Sequence, residues 1–114
     1  MHTRMPSPDA NENVALFARV PESLDAEALR LKYEVPIVHL LKSLGHASRV
    51  RSFILPAKED GSWWVGIEIQ GVARGAVASI VQVIADCGAS AQTVIEIEDD
   101  KTATVSTLGE LMGR

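Results

Sequence analysis

The chain writes one pattern twice, and that repetition limits what it can fold into more than any other feature. The first copy runs from Val14-Ala15-Leu16-Phe17 through a long apolar-periodic stretch to Gly45, then into Val50-Arg51-Ser52-Phe53-Ile54. The second runs from Trp64-Val65-Gly66-Ile67 through Ala73 to Gly88, then into Val94-Ile95-Glu96-Ile97. Each reads strand, helix, glycine stop, strand. Leu41-Lys42-Ser43-Leu44-Gly45 and Ile84-Ala85-Asp86-Cys87-Gly88 fall in register, with leucine and cysteine just before the glycines. Two tandem β-α-β units predict an α+β sandwich, an antiparallel sheet with two helices on one face.

Local signals fill in the elements. Val14 to Val20 alternates apolar and other residues, the period of a strand with one buried face, and Pro21 closes it. Ser23 is the expected N-cap of the first helix, with Asp25 and Glu27 favouring its positive end. Leu24, Ala28, Leu31 and Val35 supply the expected core stripe. Pro36 removes one helical hydrogen bond and crowds the carbonyl of Lys32. The helix is therefore expected to be kinked or broken at Pro36, with a restart over Ile37 to Leu44; the alternative makes Tyr33 to Val38 extended. Gly45 supplies a left-handed cap.

Arg49 to Leu55 and Ser62 to Gln70 read as strands joined by the polar hairpin loop Pro56-Ala57-Lys58-Glu59-Asp60-Gly61. The second helix carries a stripe at Ala73, Val77, Ile80, Ile84 and Cys87 and stops at Gly88. Gln92 to Glu98 alternates as the next strand. Beyond it, Lys101 to Val105 can fold back as a fifth strand. Thr107 and Glu110 have capping-box spacing, and Leu108, Leu111 and Met112 share one face of a short helix. The expected organisation is a flexible lead over 1–12, a single α+β domain over 13–98, and a tail over 99–114 holding an extra strand or docking helix. This βαββαβ order resembles the ferredoxin-like class, which includes regulatory small-ligand domains and many inhibitor and effector proteins. Its ligand-binding members place glycine after the first strand, where this chain reads Pro21-Glu22-Ser23.

Composition narrows the classes of function. With 46% apolar and 23% charged residues in 114, the chain has an ordinary globular balance and the length for one core. A lone cysteine, Cys87, excludes an internal disulfide and a cysteine metal site, and makes the cytoplasm the expected compartment. Met1 to Asn13 lacks the apolar region of a secretory signal, and the longest uncharged run, Gly75 to Ala85, is too short to span a bilayer. No membrane is expected. The net charge of −4 counts against nucleic acid, whose sequence-independent affinity comes from lysine and arginine.

Alternation assigns Leu16, Ala18, Val50, Ile54, Trp63, Val65, Ile67, Ile69, Ile95 and Ile97 to the helix side of the sheet. Phe17, Arg19, Arg49, Arg51, Phe53, Trp64, Glu68, Glu96 and Glu98 face away. Three aromatics among three arginines and three glutamates make this outward face more apolar than solvation needs. Three readings compete for it: arginine–glutamate pairs across the strands, a surface buried against a partner protein or a second copy, and a platform for stacking single-stranded RNA. The RNA reading lacks the expected motif, since the third strand reads Ser62-Trp63-Trp64-Val65-Gly66-Ile67. A second candidate contact is the charge-poor side of the second helix, Ala78, Ser79, Gln82 and Ala85.

Catalytic chemistry finds little support. His39 and His46 have no metal-site spacing with carboxylates, the acidic run Glu96, Glu98, Asp99, Asp100 lacks the glycine and spaced ligands of a calcium loop, and no nucleophile elbow is present. Gly71 and Gly75 flank a strand-to-helix turn without the spacing of a phosphate loop, and are read as allowing close strand–helix packing. No catalytic residue, metal ligand or cofactor is proposed. The expectation is a small regulatory or inhibitory protein-binding module, self-associating as a homodimer, with Phe17, Arg19, Arg49, Arg51, Phe53, Trp64, Ala78 and Gln82 at the interface. The alternative is a small enzyme or isomerase with a pocket between sheet and helices, for which His39, His46, Tyr33 and Arg74 are the polar groups on offer. A small-molecule ligand is not identified by any motif.

Overall fold

A computed structural model describes residues 13–46, 48–55 and 63–113. Five strands, β1 (Asn13–Val20), β2 (Arg49–Leu55), β3 (Trp64–Ala73), β4 (Val94–Glu98) and β5 (Ala103–Thr107), form one sheet in the order β2-β3-β1-β4-β5. Every neighbouring pair is antiparallel. The first four strands, with helices after β1 and β3 packed on one face, make the ferredoxin-like βαββαβ sandwich. β5 extends it beyond β4 by a hairpin. The lead over 1–12 and the loop Pro56 to Gly61 lie outside the described residues.

The strand alternation works as read along β1, where Val14, Leu16, Ala18 and Val20 are buried. Along β3, Val65, Ile67 and Ile69 are buried, and then the parity changes to Val72. The β1–β3 ladder explains the switch: Leu16 faces Ile69 but Val14 faces Val72, so β3 carries one extra residue. Gly71 sits in this bulge at φ +74, a left-handed conformation that glycine adopts without strain. The bulge carries the strand past Gln70 to Ala73. Ala73 therefore ends a strand rather than starting the helical stripe, and Gly71 shapes a bulge rather than a strand–helix contact. A 3₁₀ turn over Arg74–Ala76 then leads into a helix over Val77–Asp86, whose Ile80, Val81 and Ile84 reach the core.

The helix after β1 begins as α1 (Ala26–Leu29), widens into a π turn over Arg30–Glu34, and resumes as α2 (Val35–Ser43). Its N-cap is Asp25, whose carboxylate accepts from the Ala28 N–H at 2.8 Å, in place of the expected Ser23. The Val35 N–H reaches back five residues to the Arg30 carbonyl. This wider turn lies where the Lys32 carbonyl would otherwise meet the Pro36 ring, and Pro36 occupies the first turn of the resumed helix. The backbone stays helical through Glu34 and Val35, so the extended alternative over Tyr33 to Val38 is excluded.

The π turn also moves the core stripe. Leu29, Tyr33, Ile37 and Leu41 are buried, whereas Leu31 is 54% exposed and Leu24 is only partly covered. Steps of four drift around a regular α-helix, and the wider turn rotates the later residues back into line.

The helix over Val77–Asp86 is α3, and a last short helix, α4, covers Leu108–Leu111. Both α2 and α3 end in the same glycine motif. Gly45 and Gly88 take φ +74 and +95, and the following N–H of His46 or Ala89 reaches back to the carbonyl of Leu41 or Ile84. That shared geometry is the physical content of the register between the two repeats. Thr107 and Glu110 close a capping box on α4. The Leu108 and Gly109 N–H groups donate to the Thr93 and Ala91 carbonyls at 2.7 and 2.9 Å, which places Leu108 in the core. Among the described residues no helix is long and apolar enough to cross a membrane.

Candidate functional site

Among the described residues the helices leave the opposite face of the sheet uncovered, and the ladders arrange its side chains in rows across the strands. Arg51 pairs with Glu68, Glu68 with Phe17, Phe17 with Glu96, and Glu96 with Val105. The next row is Phe53, Gly66, Arg19, Val94 and Thr107. Phe17 and Phe53 come from strands on either side of β3, yet their rings stack with centroids 5.8 Å apart and planes 16° from parallel. Gly66 makes this possible. A Cβ there would lie 2.8 Å from Phe53 Cε2 and 3.2 Å from Phe17 Cε1. The Arg19 guanidinium lies 5.7 Å from the Phe17 ring centroid, and Trp64 stands half-buried at the far end of β3.

Charges on this face pair sparingly. Arg51 reaches Glu68 at 3.6 Å while its side chain stays 72% exposed. Among the described residues, no ion pair engages Arg49, Glu96 or Glu98. Glu68, Glu96 and Glu98 instead border a shallow concavity of about 220 Å³ beside Phe17. Sequence alternation thus brings Phe17, Arg19, Arg49, Arg51, Phe53 and Trp64 together. Ile54, assigned to the helix side, does pair with the buried Val65 but is 42% exposed, and Trp63, just before β3, is 50% exposed.

Ala78 and Gln82 belong to a different place. They line a groove of about 530 Å³ on the helix layer, between α3 and α4, with Val77, Val81, Ile97, Leu111 and Met112. Gln82 donates from Nε2 to Asp86 at 2.8 Å. Arg74 stands at the rim and donates to Asp99 at 2.6 Å. The backbone N–H groups of Thr102 and Lys101, followed by Arg74, hold the Asp99 carboxyl below its usual range. Of the four polar groups expected to converge on a pocket, Arg74 alone lines this groove; His39 is exposed on α2, His46 borders a separate hollow and Tyr33 is buried elsewhere.

Tyr33 belongs to a cluster that the stripe as read from the sequence passed over. Its hydroxyl donates to Glu22 Oε1 at 2.6 Å, Lys32 pairs with Glu22 Oε2, and the Lys32 ammonium lies 5.3 Å from the Tyr33 ring centroid. Burial, then the bond to Glu22, pushes the phenol well above the usual tyrosine range. The 29-33-37-41 spacing was the signal that could have found it. Nearby Cys87 is half-buried, and burial followed by the Asp86 charge raises its thiol, away from a reactive thiolate. No group of three potential metal ligands occurs among the described residues.

No family model matches the chain, and no curated protein matches it. Among solved structures, the de novo designed protein Ferredog-Diesel aligns at 18% identity and a TM-score of 0.40, over 87% of this chain and 99% of that one. A phage SAM lyase in complex with S-methyl-5'-thioadenosine aligns at 10% identity and a TM-score of 0.43, over 94% and 95%. At these scores neither bears on what this chain does.

Proposed function

We propose that this chain is a small non-catalytic module, regulatory or inhibitory and cytoplasmic, that binds protein through the uncovered face of its sheet. The observation that carries the reading is the Phe17–Phe53 stack, fitted over Gly66 on a face that no helix covers among the described residues. Aromatics and arginine at the centre of a patch are the residue types that dominate protein interfaces. The test is a photo-reactive phenylalanine analogue at position 53, where phenylalanine already stands, with the same analogue at exposed Leu31 as the control. Protein adducts from position 53 and few from position 31 are expected in the producing cell. Equal yields from both positions, or none from 53, would overturn the reading.

The groove between α3 and α4 favours a second reading, a small enzyme or ligand-binding protein. Its volume falls within the roughly 300–1,000 Å³ of small-molecule sites, and its walls are mostly apolar. Ala78→Trp, which fills the groove, would cancel such an activity and leave adducts at position 53 unchanged. Against an RNA platform stand Glu68, Glu96 and Glu98 around Phe17, where a phosphate backbone would have to pass.

A further inference from the structure

Charge on the outer face is divided by strand. Arg49 and Arg51 stand on β2, and Glu96 and Glu98 on β4, one strand out on either side of the β3–β1 seam. The continuous row Arg51, Glu68, Phe17, Glu96 sets Arg51 level with Glu96. Arg49 and Glu98 lie two residues further toward the same end of the sheet. Within the chain these charges are largely unspent: no ion pair engages Arg49, Glu96 or Glu98 among the described residues, and Arg51 makes one long contact.

Resting on the protein-binding reading of this face, we propose that its partner is a second copy of the chain, docked face to face about a two-fold axis that runs parallel to the strands above the β3–β1 seam. Such an axis exchanges the two sides of the sheet and preserves position along the strands. β2 then lies over β4 of the other copy, so Arg51 opposes Glu96 and Arg49 opposes Glu98, each twice by symmetry. A two-fold running across the strands would set β2 on β2 and arginine on arginine. Both arrangements keep the strands of the two sheets aligned, the packing that twisted sheets adopt, and charge complementarity selects the first.

The size of the face fits a weak dimer. Because the axis lies above the β3–β1 seam, four strands overlap and β5 stands outside; four strands about 4.8 Å apart and roughly six residues long at about 3.3 Å each give a footprint near 400 Å² per copy. Two copies together bury about 800 Å², below the range of standard interfaces, so a weak dimer with a dissociation constant in the upper micromolar range is expected.

The experiment is sedimentation equilibrium on the full chain and on Arg51→Glu and Glu96→Arg, with circular dichroism to verify folding. Each variant alone sets like charges opposite each other twice, and its dimer should weaken at least about tenfold. An equimolar mixture should recover wild-type affinity as a heterodimer, because both contacts then join glutamate to arginine. Arg49→Glu mixed with Glu98→Arg should behave the same way. A wild-type monomer at hundreds of micromolar, variants that dimerise like wild type, or a mixture that stays monomeric would each overturn the proposal. Adducts from position 53 to other proteins with none to a second copy would also overturn it while leaving the protein-binding reading intact. No adducts at all would remove both.

Discussion

Replacing Tyr33 with phenylalanine isolates a single hydrogen bond in the core. The ring is fully buried, so Tyr33→Phe leaves no cavity and removes only the hydroxyl that donates to Glu22 at 2.6 Å. A hydrogen bond to a charged group contributes about 1.5–3 kcal/mol. Glu22 keeps Lys32 and is 25% exposed, so its carboxylate is not stranded, and a loss of about 2 kcal/mol is expected. At an m-value near 2 kcal/mol/M the urea midpoint should fall by about 1 M. pH supplies an independent check. In the unfolded chain the phenol ionises above about pH 10, whereas in the folded chain burial and Glu22 hold the proton on. The bond's stabilisation is therefore complete below pH 10, and each further pH unit removes about 1.4 kcal/mol from the wild type and none from the variant. By pH 11 the gap between them should close to under about 1 kcal/mol. Tyr33 is the one tyrosine, so phenolate absorbance should appear only as the chain unfolds. A gap that stays constant from pH 8 to 11, or phenolate absorbance from a folded chain near pH 10, would refute the reasoning.

Ile67→Asp sets an unpaired charge at a fully buried position on the central sheet and should cost several kcal/mol, whereas Glu68→Lys, one residue along on the open face, should cost about 1 or less; urea titration compares them. Thr93 is fully buried, and its Oγ1 has no hydrogen-bond partner among the described residues, so the isosteric Thr93→Val should raise stability by about 1 kcal/mol in thermal melts. Asp99 is held as a carboxylate by backbone N–H groups and Arg74, so its contribution is present above the ordinary carboxylate range and is lost as pH falls through the depressed value. Asp99→Asn should therefore flatten the acid limb of the stability profile between about pH 5 and 2.

Much of this architecture was legible because it rests on local rules. Val14 to Val20 alternates with period two, and the glycines at 45 and 88 both take the left-handed cap that ends a helix. Two errors of register share one cause, an extra residue that changes the count. The π turn before Pro36 shifts the helical stripe onto Leu29, Tyr33, Ile37 and Leu41, and the bulge at Gly71 reverses strand parity and prolongs β3. A fixed period cannot register an insertion whose position is set by tertiary packing. For the candidate face, the residue types were readable from alternation. The ring stack was not, since it depends on Phe53 and Phe17 reaching over Gly66 from two different strands. Ala78 and Gln82 were readable as a separate contact from the want of charge on their helix, and they line a groove on the helix layer.

Phe17 and Phe53 already hold each other in the free chain, with Arg19 against the first ring. Immobilising a rotamer-rich side chain on association costs about 0.5–1.5 kcal/mol, and here folding has met much of that cost for two aromatic anchors in advance. A pre-organised platform of this kind acts chiefly on how long a complex lasts, since affinity differences between related complexes reside mostly in dissociation rates. In the proposed complex, Gly66 would thereby set residence time: a side chain at that position would part the rings, and the partner would leave sooner at nearly the same rate of arrival.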